Sequence, residues 1–167
     1  MRFAAVLVTL IWSFGLTAQT SQPKTVLDYY KLLPDKYFEA DRTQRVNWML
    51  NPKRGAVVDL RNGYLYAPGD GAQTDIYLSL FRKRTGGYLV GVKFYASDTQ
   101  DLTYLDFYVY QISSWVAVTK SVIPVNIKDE LKYEMPRYGR TIRVRDKRGR
   151  PLYDLVWSGD KFRLRSS

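Results

Sequence analysis

From Gly55 to the C-terminus, apolar and polar residues alternate with a period of two, and turn residues interrupt the alternation every few positions. A period of two sends successive side chains to opposite faces, so such segments fold as half-buried strands rather than helices. Alternation marks strands at 56–60, 64–67, 74–83, 88–95, 102–112, 114–125, 140–146, 152–157 and 161–165. Arg61-Asn62-Gly63, Pro68-Gly69-Asp70-Gly71, Thr85-Gly86-Gly87, Lys147-Arg148-Gly149-Arg150 and Ser158-Gly159-Asp160 supply the turns. Strands this short and evenly spaced favour an antiparallel meander over β-α-β units. Asn126 to Tyr133 reads as one or two helical turns.

The segment 25–50 has a different period. Val26, Tyr29, Tyr30 and Leu33 recur at helical spacing after Thr25, and Asp28 three residues on completes a capping box. Pro34 ends that helix, because the residue before proline is pushed out of the α region. Asp41 can cap a second helix carrying Val46, Met49 and Leu50, which Asn51-Pro52 terminates. The expected fold is therefore α+β: two short N-terminal helices packed on a curved antiparallel meander of about eight strands. A closed β-barrel is the alternative. Strands this short and basic near the C-terminus do not suit a membrane barrel, whose strands need about 9–11 residues.

The first residues read as an export signal. Arg2 precedes an apolar run of about 14 residues, Phe3 to Leu16, and small and polar residues follow. A spanning helix needs about 20 apolar residues. Residues 1–18 are expected to be a signal peptide cleaved after Ala18 or Gln19, leaving 19–167 as one mostly-β domain in the periplasm or outside the cell, with no transmembrane span. The chain has no cysteine, so its core alone must stabilise it.

The residue types present restrict the chemistry. Without histidine or cysteine, Ser-His-Asp and Cys-His arrangements and the usual zinc sites have no ligands. No GxxxxGK phosphate loop occurs. No catalytic residue, cofactor or metal is therefore assigned. Carboxylate chemistry on a glycan would have to use Asp70 and Asp75, or Asp98, Asp101 and Asp106. None of these matches a calcium loop, and aspartates at turns commonly serve the backbone.

Two surfaces have a physical case for binding. Tyr64, Tyr66, Tyr77, Tyr95, Tyr104, Tyr108 and Tyr110 would form a tyrosine-rich face if their strands neighbour one another, interrupted by Lys93 and Asp106. Tyrosine joins an apolar body to a polar tip and suits a sugar, peptide or small molecule. The same face could instead pack beneath the N-terminal helices. The second surface is basic. The net charge is +10, and ten basic residues lie from Arg137 onward, opposed only by Asp146, Asp154 and Asp160. Alternation puts Arg143 and Arg145 opposite Ile142 and Val144, and Arg163 and Arg165 opposite Phe162 and Leu164. With Arg148 and Arg150 in the intervening turn, these arginines form a candidate anion-binding ribbon. Positive charge on edge strands also discourages aggregation.

The expected function is that of an exported, non-enzymatic binding or accessory protein of the cell envelope. Its partner would be a small molecule, a glycan or an anionic envelope component; nucleic acid is not the expected partner. The alternatives are anionic-polymer or lipid-headgroup binding by the basic ribbon, and a carboxylate-dependent enzyme acting on glycans.

Overall fold

The computed structural model describes residues 22–34, 38, 42–69, 74–96 and 102–166. The expected signal segment, the Asp41 cap and the carboxylates Asp70, Asp98 and Asp101 lie outside those residues. Helix α1 spans Val26–Leu32, and α2 spans Arg42–Met49. The box that starts α1 is reciprocal: the Asp28 N–H donates to Thr25 Oγ1 (3.2 Å), and the Thr25 N–H donates to Asp28 Oδ2 (2.9 Å).

Ten strands follow. They are β1 (Val57–Asp59), β2 (Tyr64–Ala67), β3 (Asp75–Arg82), β4 (Tyr88–Ala96), β5 (Leu102–Gln111), β6 (Ser114–Ala117), β7 (Lys132–Glu134), β8 (Thr141–Arg145), β9 (Pro151–Trp157) and β10 (Phe162–Ser166). A four-residue helix, α3 (Thr119–Val122), separates β6 from β7. All pairings are antiparallel.

The expected single meander is corrected to two sheets. Strands β1 to β6 form one in chain order, and β7 to β10 form a second. Neither closes, so the barrel alternative is not adopted. The reason lies at 118–131. Where alternation suggested one continuous strand over 114–125, β6 ends at Ala117 and α3 turns the chain away. Residues 126–133, which the sequence reads as helical turns, instead lead into β7.

Each face of the six-stranded sheet has a cover. On one side, Leu65, Ala67, Ile76, Leu78, Val90 and Val92 pack against Val26, Tyr29, Tyr30 and Leu33 of the α1 segment. On the other, Phe81, Leu89, Leu105, Phe107 and Val109 pack against Tyr133, Met135, Ile142, Val144, Leu155, Trp157 and Phe162 of the second sheet. Rings of Phe81, Phe107, Trp157 and Phe162 meet at centroid separations of 5.0–6.1 Å, within the range of favourable aromatic contact. Both faces of β4 are buried, from Leu89 to Val92.

Polar ties lock the layers. Trp157 Nε1 donates to the Arg82 carbonyl (2.7 Å) across the two sheets. Trp115 Nε1 donates to the Leu32 carbonyl (2.8 Å), joining β6 to α1. Arg45 of α2 donates to the carbonyls of Lys31 (3.2 Å) and Leu33 (2.9 Å), at the C-terminal end of α1 where a cation is favoured. No helix among the described residues is long and apolar enough to cross a membrane.

Candidate functional site

The two candidate surfaces fare differently. Strand register divides the seven tyrosines between opposite faces of the six-stranded sheet. Tyr66 pairs with Tyr77, Tyr77 with Lys93, and Lys93 with Leu105, a residue of the intersheet core. Tyr64, Tyr66, Tyr77 and Tyr95 therefore face the second sheet. Tyr104 pairs with Phe94 and Tyr108 with Val90, so Tyr104, Tyr108 and Tyr110 face the helices.

On the helix side, Trp115 takes the rings of Tyr108 and Tyr110 at 5.9 and 5.2 Å and is met by Tyr29 of α1 at 6.0 Å. Tyr108 and Tyr110 are thus covered in part, and of the three only Tyr104 is exposed, at 51%. Tyr104, Leu152 and Tyr153 border a broad, open concavity of about 1200 Å³ beside the 123–131 connection.

On the other side, Asp75 organises the tyrosines. It accepts from Tyr66 Oη (3.2 Å) and from the Gly69 N–H (2.8 Å), with Tyr77 Oη at 3.5 Å. Burial, then the Asp75 charge, raise the Tyr77 phenol well above its ordinary value. The Lys93 ammonium lies 3.6 Å from the Tyr77 ring centroid and 5.8 Å from that of Tyr95. Burial lowers its pKa to about 8. Asp75 and Asp106 lie on opposite faces of the sheet, and Asp106 accepts from Thr119 Oγ1 (2.9 Å). These two carboxylates do not flank a common space. Among the described residues no acidic cluster suits a metal ion.

The basic surface keeps its expected alternation on β8 but not throughout β10, where Leu164 is 53% exposed. Ile142 and Val144 are buried and Arg143 is exposed on β8, while Phe162 is buried and Arg163 and Arg165 are exposed on β10. Across the sheet, Glu134, Arg143, Asp154 and Arg165 form one row, by register. Not every arginine is available. Arg145 is ion-paired with Glu134, Arg165 with Asp154 (2.7 Å) and Arg150 with Asp146 (2.6 Å). Arg148 is exposed in the β8–β9 turn, apart from the groove described next.

That groove, of about 370 Å³, opens where the β7–β8 loop meets the outer face of the second sheet. Arg137, Arg140, Arg143 and Arg165 line it, and among the described residues Glu134 is the only carboxylate that does. Among the described ion pairs, Arg140 and Arg143 have no partner. Tyr138, 69% exposed, stands on the same rim.

The loop is held from several sides. The buried Ser79 hydroxyl of β3 donates to the Pro136 carbonyl (3.0 Å). Arg137 donates to Asp59 Oδ2 (2.9 Å). Hydrogen bonds from the Asn62 side chain and from Arg137 lower the Asp59 carboxyl to about 2. The Trp157 N–H donates to the Arg140 carbonyl (2.9 Å).

The chain matches no protein-family model, no curated protein and no solved structure. Sequence reasoning selected Arg143 and Arg165 but missed Arg137, Tyr138 and Arg140. The signal for them is the run Arg137-Tyr138-Gly139-Arg140 between two alternating segments: an aromatic flanked by arginines in a turn, where no core can take it.

Proposed function

We propose that this is an exported, non-enzymatic binding or accessory protein of the cell envelope, and that the arginine groove holds an anionic group of its partner. The observation carrying the reading is the convergence of Arg137, Arg140, Arg143 and Arg165 on one groove, with a single lining carboxylate among the described residues and two of the four in none of the described ion pairs. Guanidinium forks match carboxylate and phosphate oxygens in pairs and stay charged at any physiological pH. The loop anchors at Pro136, Arg137 and Arg140 lower the ordering cost of binding. The leader-like composition of residues 1–18 supports the export part of the reading.

The test is binding of anionic polymers, read by fluorescence anisotropy at rising salt. Affinity should fall steeply towards about 1 M salt, where the screening length shrinks to about 3 Å. The double variant Arg140→Ala/Arg143→Ala should lose most of the binding, and Arg148→Ala, outside the groove, should retain it. Binding indifferent to salt, or unchanged in the double variant, would refute the proposal.

A further inference from the structure

We infer that the group held in the arginine groove is an acidic saccharide: a sugar ring laid against Tyr138 with its carboxylate between Arg140 and Arg143. The inference rests on the anion reading above and narrows it.

Tyr138 is the reason. A tyrosine in a turn with no core contact loses the burial that normally stabilises an aromatic side chain, and 69% of it faces solvent. Its loop is nevertheless tied to three other parts of the molecule, through Ser79, Asp59 and Trp157. An exposed ring on an anchored loop is a presented ring. The Arg137 guanidinium lies 5.4 Å from its centroid, a cation–π distance that steadies the ring without covering it.

A simple anion needs only the arginines. A flat aromatic on the rim shared with two guanidinium groups that enter none of the described ion pairs adds a surface for the apolar face of a sugar, while the planar forks of Arg140 and Arg143 suit a carboxylate. The groove volume, about 370 Å³, lies within the range of small-ligand sites. A linear polyphosphate would use the same arginines and leave Tyr138 idle, so the contribution of Tyr138 separates the two chemistries.

The experiment titrates the full protein with three probes: an oligogalacturonate, an uncharged oligosaccharide of the same length, and inorganic polyphosphate. Tyr138→Ala and Tyr138→Phe are compared with the unaltered chain, and circular dichroism verifies that this exposed position leaves the fold intact. The expected result is that the oligogalacturonate binds, the uncharged oligosaccharide does not, and Tyr138→Ala weakens oligogalacturonate binding up to about tenfold. Tyr138→Phe should keep the affinity, and Tyr138→Ala should leave any polyphosphate binding unchanged. If Tyr138→Ala leaves oligogalacturonate binding intact, or if polyphosphate alone binds, the saccharide inference is overturned and the anion reading stands. If neither anion binds, the anion reading itself fails.

Discussion

Gly91 sits at the centre of β4, on the face towards the second sheet, and the two sheets approach one another over it. A Cβ added there would lie 2.9 Å from Met135 Cε, 3.0 Å from Phe107 Cε1 and 3.1 Å from Phe81 Cε2. The backbone at Gly91 is ordinary, with no positive φ, so Gly91→Ala carries no conformational penalty. By restricting the unfolded chain it would even gain about 0.4–1 kcal/mol. The contacts decide the sign. Met135 Cε is the end of a flexible side chain and can move at small cost. The two phenyl edges cannot, because Phe81 and Phe107 are fully buried and both pack on the Phe162 ring. Overpacking of a closed core costs about 1–3 kcal/mol. The net expectation is a loss of about 1–2 kcal/mol, combining the two effects. Urea unfolding followed by tryptophan fluorescence measures it, since Trp157 lies in the same core. Met135 also precedes Pro136 and the arginine loop, so Gly91→Ala should weaken anion binding slightly at constant charge. A variant as stable as the parent, or more so, would mean that the sheets do not close over Gly91, and the two-sheet packing would be refuted.

Two further perturbations test other parts of the structure. Burial lowers Lys93 from its ordinary 10.5 to about 8, so between those values the unfolded chain holds a proton that the folded chain has released. Stability contributed through Lys93 must therefore rise with pH across that window. The urea midpoint of the parent should climb relative to Lys93→Met from about pH 8 upward, and a constant difference would place the amine in water. At the β5–β6 turn, Ile112 and Ser113 both have left-handed backbones (φ 47° and 63°), and Ile112 is 95% exposed. A branched side chain is strained there with no packing in return, so Ile112→Asn should stabilise the protein by about 1 kcal/mol. Thermal unfolding checks this, and a lower midpoint would show that Ile112 makes a contact worth more than its strain.

Local rules made much of this protein legible in its sequence. Thr25 and Asp28 announce the start of α1, because a capping box is satisfied within four residues. Alternation located most strands, and it placed Arg143 with Arg145 and Arg163 with Arg165, because side chains two apart on one strand share a face whatever surrounds them. Which way a strand faces is another matter, since it depends on register with its neighbours, and a shift of one residue reverses every side chain. The tyrosines show the consequence. Tyr77 pairs with Lys93 and looks towards the second sheet, whereas Tyr104 pairs with Phe94 and looks towards the helices. No pattern within either strand distinguishes them.

The division into two sheets was not legible: 88–95 reads as one more alternating strand, and only the structure buries β3 and β4 on both faces, with Leu78, Val90 and Val92 under the helices and Phe81 and Leu89 under the second sheet. The arginine groove was not legible as a unit. Arg143 and Arg165 lie on strands that are not adjacent in the sheet, Arg137 and Arg140 lie on a turn, and pairing through β9 brings them together. Outside 118–133, where α3 and β7 replace the expected strand and helical turns, the sequence by itself determined where the chain is helical, where it is extended and which residues share a strand face, because those follow from interactions between near neighbours. The tertiary structure alone decided which faces were covered and which arginines met, because those depend on contacts between residues far apart in the chain.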